Sequence, residues 1–167
     1  MAEAGILHED DRVELIGGEI LEMSPIGGRH AACVREINHL LSRQLGDELR
    51  VDVQSPVGLD EQEEPQPDLA VIRARNYGRS LPTLEDVLLL IEVADTSLAY
   101  DRDVKLPLYA RSGIAEVWLV DLNGGTIERH TQPSEHGYHL VRRAGRGETL
   151  ESAVLPAFIV PVHIVLG

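Results

Sequence analysis

VLLLIEV, residues 87–93, is apolar except at Glu92. A run of this kind is expected of a central strand buried on both faces. AEVWLVD (115–121) reads as a second buried strand and DLAVI (68–72) as a short third. Between the first two lies ADTSLAYDRDVKLPLYARSG. Thr96 or Ser97 is placed to cap a helix there, Gly113 to end it and Pro107 to kink it. Upstream, apolar Val34, Ile37, Leu41 and Leu45 follow helical spacing over residues 29–45, with Gly46 as a stop.

VELI-GG-EILEM (13–23) alternates about Gly17-Gly18, as a hairpin with a tight primed turn does. LRVDVQSPVGL (49–59) gives one or two strands, an acidic linker follows at 60–66, and residues 74–86 read as loop with a helical turn. TIERHTQ and GYHLVRRA form a further candidate hairpin, and Pro161 argues against a long central strand in the apolar tail. The order predicts one mixed α/β (α+β) domain over residues 1–167, with an N-terminal β-hairpin, a central sheet, flanking helices and a β-rich tail.

The chain has 167 residues and a net charge of −13. Nucleic-acid binders usually present a basic face, so any such face here has to be local. Arginines do gather at Arg73, Arg75 and Arg79, at Arg102 and Arg111, and at Arg142, Arg143 and Arg146. Cys33 is the only cysteine, which rules out a disulfide or a cysteine zinc site within one chain. The N-terminus MAEAGILHEDDRVE is too acidic for a signal peptide, and no apolar run reaches the roughly 18 residues of a membrane helix. A cytoplasmic protein with no membrane contact is expected.

Two acids stand out. Asp68 opens one buried strand and Glu92 lies near the end of the next. An unpaired carboxylate in such a strand costs several kcal/mol, so it shifts its pKa or finds a cation. If the strands are neighbours, Asp68 and Glu92 can share one divalent ion; the plainer alternative pairs Glu92 with an arginine and leaves Asp68 exposed. Asp101 and Lys105, four apart with Tyr109 a turn on, line one helical face. They form either a surface ion pair or a lysine delivered beside the carboxylates. His30 either lines the pocket or simply starts its helix. Glu14 and Glu19 lie on the hairpin, where one can complete an acidic cluster, although exposed strand acids are commoner. Trp118 reads as core, Tyr109 is open to base stacking, and His130, His136 and His139 are expected at the surface.

The string IEVADTS-(x3)-DRDVKLPLYARSGIAEVWLVD (91–121), preceded by PDLAV (67–71) and by ELIGGEILEMSP (14–25), resembles the Uma-type "putative restriction endonuclease" family of the PD-(D/E)XK nuclease superfamily. The resemblance spans roughly residues 12–121. It implies a restriction-endonuclease-like core and Mg²⁺-dependent hydrolysis of phosphodiester bonds in DNA, with Mn²⁺ as a substitute metal. Asp68 then matches the acid of the Pro-Asp element and Glu92 that of the (D/E)XK element. Ala94 stands where the lysine belongs, and Lys105 on the helix offers the missing ammonium. The metal ligands implied are Asp68, Glu92 and the backbone carbonyl of Val93. Lys105 would orient the attacking water or stabilise charge on the phosphorane, and Asp101 would orient Lys105. A duplex has two strands to cut, which suits a homodimer. The alternative is a catalytically inactive module that keeps the fold for binding or assembly, as Ala94 and the net charge would suit.

Overall fold

The computed structural model describes residues 12–167. The reading of residues 1–11 as too acidic for a signal peptide therefore lies outside the described residues. Among these residues six strands make the main sheet, in the order β3-β4-β5-β6-β7-β8. They are β3 (Leu49–Val53), β4 (Leu69–Arg73), β5 (Val87–Ala94), β6 (Glu116–Asp121), β7 (Thr126–Ser134) and β8 (Gly137–Gly145). Only β5 and β6 run parallel; every other neighbouring pair is antiparallel. The three apolar runs at 68–72, 87–93 and 115–121 thus lie side by side at the centre, and the sheet is mixed.

β5 shows why its sequence has no polar alternation. Leu89, Ile91 and Val93 enter one core, with Cys33, Val34, Ile37 and Leu41 of helix α1 (Gly28–Gln44). Leu90 and Ala94 enter the other, with Leu106, Leu108 and Tyr109 of helix α3 (Leu106–Ser112). A strand covered on both faces has to be apolar at odd and even positions alike, and each buried Leu or Val contributes roughly 1.5–3 kcal/mol. Period-2 alternation puts Glu92 on the α3 face.

The segment before α3 departs from a plain helix. Short helix α2 (Leu98–Tyr100) is followed by a π turn at Asp101–Lys105, in which the Leu106 N–H reaches the Asp101 carbonyl. Pro107 supplies the reason. It has no N–H for the Asp103 carbonyl, and its ring crowds that oxygen. The expected kink takes the form of this one-residue bulge, after which α3 runs on to Gly113 at φ 90°.

The hairpin β1 (Val13–Ile16) and β2 (Glu19–Glu22) turns at Gly17 and Gly18, both at positive φ, as a primed turn requires. The acidic linker holds it: Leu15 and Glu64 exchange backbone hydrogen bonds, and the Gly17 N–H donates to the Glu63 carboxylate. The tail is less β-rich than its sequence suggests. β9 (Thr149–Glu151) pairs with β10 (Ile159–Pro161), and Pro161 then starts a short helix α4 (Val162–Leu166). Residues 49–59 form one strand, with only an isolated bridge at Gly58. His130 is buried on β7 rather than exposed, because Glu128 beside it accepts its hydrogen bond; His136 and His139 are exposed as expected. No helix among the described residues is long and apolar enough to cross a membrane.

Glu116 anchors the tail. It is wholly buried, takes the Trp118 indole N–H at 2.6 Å on one oxygen, and takes the N–H groups of Ala153 and Val154 at 2.7 and 3.1 Å on the other. The indole it orients stacks on Phe158, with centroids 5.1 Å apart. Glu116→Gln sets an amide N–H against one of these donors, and we expect it to lower the unfolding free energy by about 1–3 kcal/mol in urea titrations. Glu116→Ala should cost more. A Glu116→Gln midpoint equal to wild type would show that this carboxylate does not hold the tail.

Candidate active site

At one end of the central strands a cavity of about 500 Å³ opens between the hairpin, α1 and the π turn. Asp68 and Glu92 both line it. The β4–β5 register pairs Leu69 with Ile91, so one step further Asp68 comes level with Glu92. Asp68 is buried, not exposed, because both of its oxygens are engaged. Oδ2 accepts the Val93 N–H at 2.8 Å, and Oδ1 lies 3.0 Å from Nε2 of His30, in the first turn of α1. His30 therefore lines the pocket rather than merely starting its helix, and its hydrogen bond to Asp68 raises the imidazole pKa above its ordinary value. Its Nδ1 is buried without a partner among the described residues.

Glu92 meets a lysine, not an arginine. Lys105 Nζ lies 3.1 Å from Glu92 Oε1, and the Tyr109 hydroxyl donates to the same oxygen at 2.6 Å. Tyr109 is fully buried behind Glu92, so it cannot stack on a base. Ala94, two positions past Glu92, is buried in the sheet. The ammonium reaches the site from the π turn instead.

The pairing of Asp101 with Lys105 requires correction. Neither is at the surface, with exposures of 4% and 1%, and no ion pair joins them. Asp101 instead accepts a hydrogen bond from Ser97 at 2.8 Å. The second partner of Lys105 is Glu14 of β1, which also accepts from the Gln66 N–H at 2.8 Å and from the Tyr100 hydroxyl at 3.1 Å. Glu14 is buried and completes the cluster, whereas Glu19, across the hairpin turn, is exposed. Tyr100, Ser97 and Gln66 were not singled out as site residues from the sequence. Their only signal was proximity to Asp101 and Asp68, and nothing local to VELI shows which distant surface Glu14 will meet.

The charges do not balance. Four buried carboxylates, Glu14, Asp68, Glu92 and Asp101, with the more open Glu22 and Asp95, face Lys105, His30 and Arg12. Burial pushes Glu92 well above the usual carboxylate range; the Lys105 ammonium opposes this, while the charges of Asp101, Asp68 and Glu14 add to it. Burial likewise lifts Asp101 to about 6, against the Ser97 hydrogen bond. Burial alone would lower the Lys105 pKa, but Glu92 and Glu14 outweigh it and hold the ammonium charged. Uncompensated oxygen charge of this kind suits a hard divalent cation. Among the described residues no three His, Cys, Asp or Glu side chains gather as ligands of one ion. A Mg²⁺-type ion, which is commonly held by one or two carboxylates and completed by water and phosphate oxygens, would ask of this set only Asp68 and Glu92.

The fold has a solved counterpart. A crystal structure described as "a putative nuclease belonging to DUF820 from Anabaena variabilis ATCC 29413" superposes with a TM-score of 0.72. The match covers 98% of this chain and 94% of that one at 14% sequence identity, a likeness of fold. No curated protein sequence matches significantly. A family profile matches residues 2–163, nearly the whole sequence. On that match the chain belongs to the Uma2 family, described as "Putative restriction endonuclease".

Proposed function

We propose that the protein is a Mg²⁺-dependent endonuclease that hydrolyses phosphodiester bonds in DNA and works as a homodimer, one site per strand of the duplex. The observation that carries this is the meeting of Asp68, Glu92 and Lys105, from three separate elements, in one cavity with surplus negative charge. Family membership supports the nuclease class.

Asp68 and Glu92 would hold the metal, with the Val93 carbonyl as a further ligand. When bound, the ion supplies positive charge against the phosphate and an acidified water. The remaining roles belong to the chain. His30 and the Val93 N–H fix both oxygens of Asp68, and Tyr109 fixes Glu92. Lys105, itself buried, stabilises the negative charge that develops on the phosphorane oxygens. Glu14 holds the lysine ready; Asp101 adds to its charge environment without touching it. Net charge and Ala94 favour a second reading, a binding module without catalysis.

Three measurements test this. Mg²⁺ or Mn²⁺ should raise the melting temperature of wild type by mass action; Asp68→Ala should lose that response, and an equal response in both would reject the metal site. Removing Lys105 alone strips the counter-charge from Glu14 and Glu92 and should cost about 3–5 kcal/mol of stability. The paired change Glu14→Gln with Lys105→Met removes one charge of each sign, leaves Glu92 to be buried protonated, and should cost less stability than removal of Lys105 alone. It should cut plasmid about 10²–10³ times more slowly while keeping the Mg²⁺ response. Cleavage at the wild-type rate would eliminate the lysine, and no metal-dependent cleavage by wild type would favour the binding module.

Asp101 gives a pH test. Its folded pKa, about 6, lies above the unfolded value, so its contribution is fully present below about 4 and is lost as pH rises through 6. Asp101→Asn should therefore be more stable than wild type at pH 7 and gain nothing at pH 4. A gap in urea midpoint independent of pH would contradict the burial of this carboxylate as a charge.

A further inference from the structure

A second charged cluster lies on the same face of the sheet as Glu92. The register runs from Glu92 to Leu119 on β6, to Glu128 on β7, to Arg143 on β8. Three strand spacings separate the ends of this row, about 14 Å. Glu128 is buried, and three nitrogen-bearing side chains converge on it. Arg102, next to Asp101 on the π turn, donates through Nη1 and Nη2 at 3.1–3.3 Å. Arg143 donates through Nε and Nη2 at 3.1 and 2.6 Å. His130 lies 3.1 Å away.

Burial would raise the Glu128 pKa, but the hydrogen bonds from Arg143 and His130 and the charge of Arg102 hold it below the usual carboxylate range. Burial holds His130 below its ordinary value, so it adds little charge at neutral pH. Two guanidiniums on one carboxylate then leave an excess of one positive charge, on a chain whose net charge is −13. One arginine would neutralise Glu128, and the second has no such need to meet. The two arginine side chains are also part-exposed, at 39% and 62%. Arg102 Nε and Arg143 Nη1 make no hydrogen bond among the described residues.

We propose that Arg102 and Arg143, splayed and held by Glu128, form a phosphate clamp that grips the nucleic-acid backbone beside the reactive cavity. The proposal rests on the nuclease reading and names a contact of its substrate. Guanidiniums suit phosphate because their planar donors match its oxygens. Glu128 fixes both forks in advance, so little side-chain entropy is lost on binding. Glu128, on which both guanidiniums sit, lies two strand spacings from Glu92, about 10 Å, or roughly three nucleotides of axial rise along one strand. The contact is with phosphate, so it carries no base specificity.

The test is fluorescence anisotropy of intact protein with labelled DNA and RNA oligonucleotides of one sequence, in Ca²⁺ in place of Mg²⁺ to suppress cutting, over a range of salt. Arg102→Gln and Arg143→Gln should each reduce the slope of log K against log salt by about one and weaken binding on the order of tenfold near 0.1 M salt. Arg143→Lys should restore most of the slope, since a phosphate contact needs the charge. Arg79→Gln, on an exposed loop at the opposite end of β4, should leave it unchanged. Loss in the DNA arm alone, or in the RNA arm alone, identifies which backbone is gripped. If the two variants only lower the melting temperature and keep the wild-type slope, the cluster is a structural ion pair and the clamp is wrong. If wild type binds neither oligonucleotide, clamp and nuclease readings fall together. Binding with the predicted slopes but no cleavage in Mg²⁺ keeps the clamp and rejects the nuclease.

Discussion

A carboxylate on a strand covered on both faces has to be answered by a cation or by a full set of hydrogen-bond donors, and Lys105 answers Glu92 at 3.1 Å. Much of the site's geometry follows from that demand. The lysine comes from the segment after β5, so that segment must fold back over the α3 face. The ammonium is itself buried and needs more than one acceptor, so β1 brings Glu14 to it. Glu14 is carried by a two-stranded hairpin outside the main sheet, and the acidic linker at 60–66 pairs with that hairpin to keep it in place. One buried charge thus recruits a helix, a hairpin and a linker.

The arrangement is held at a cost. Two of the four site carboxylates, Glu92 and Asp101, would be easier to bury if neutral, and both respond by shifting upward. A purely structural core would replace them with apolar side chains of similar volume, often with no loss of stability. Glu116 offers the contrast within the same sheet. It is as deeply buried, but its acceptors are matched by three donors and no counter-ion is needed. The two acids show the difference between a charge used to fasten a loop and a charge left partly unspent for a ligand.

The central strands were legible because double burial forces continuous apolar runs, and VLLLIEV leaves little other interpretation. The hairpin was legible through Gly17-Gly18, whose positive φ values few other residues accept. Asp68 and Glu92 stood out because acids are anomalous in such runs. Glu14 did not, since an acid in an alternating hairpin strand looks the same whether it faces solvent or a lysine 91 positions away. Asp101 and Lys105 misled for a related reason: a spacing of four marks a shared face but not what covers it. The short helix α4 and the burial of His130 also depend on tertiary partners rather than on local pattern.

The bulge before Pro107 has a consequence for how this segment can vary. An α-helix turns about 100° per residue, and the π turn carries one residue more than an α turn. Everything on its N-terminal side is thereby rotated by about that angle relative to α3. That phase lets Asp101 and Lys105 look into the cavity while Arg102 looks toward β7. Loss of one residue within 103–105 would turn the part before it by about that angle and swing Asp101, Arg102 and Ser97 to the wrong bearings together. A change of one side chain here disturbs the cluster to which that side chain belongs. A change in the length of the segment disturbs both, because a single count of residues keeps two charged clusters aimed in different directions.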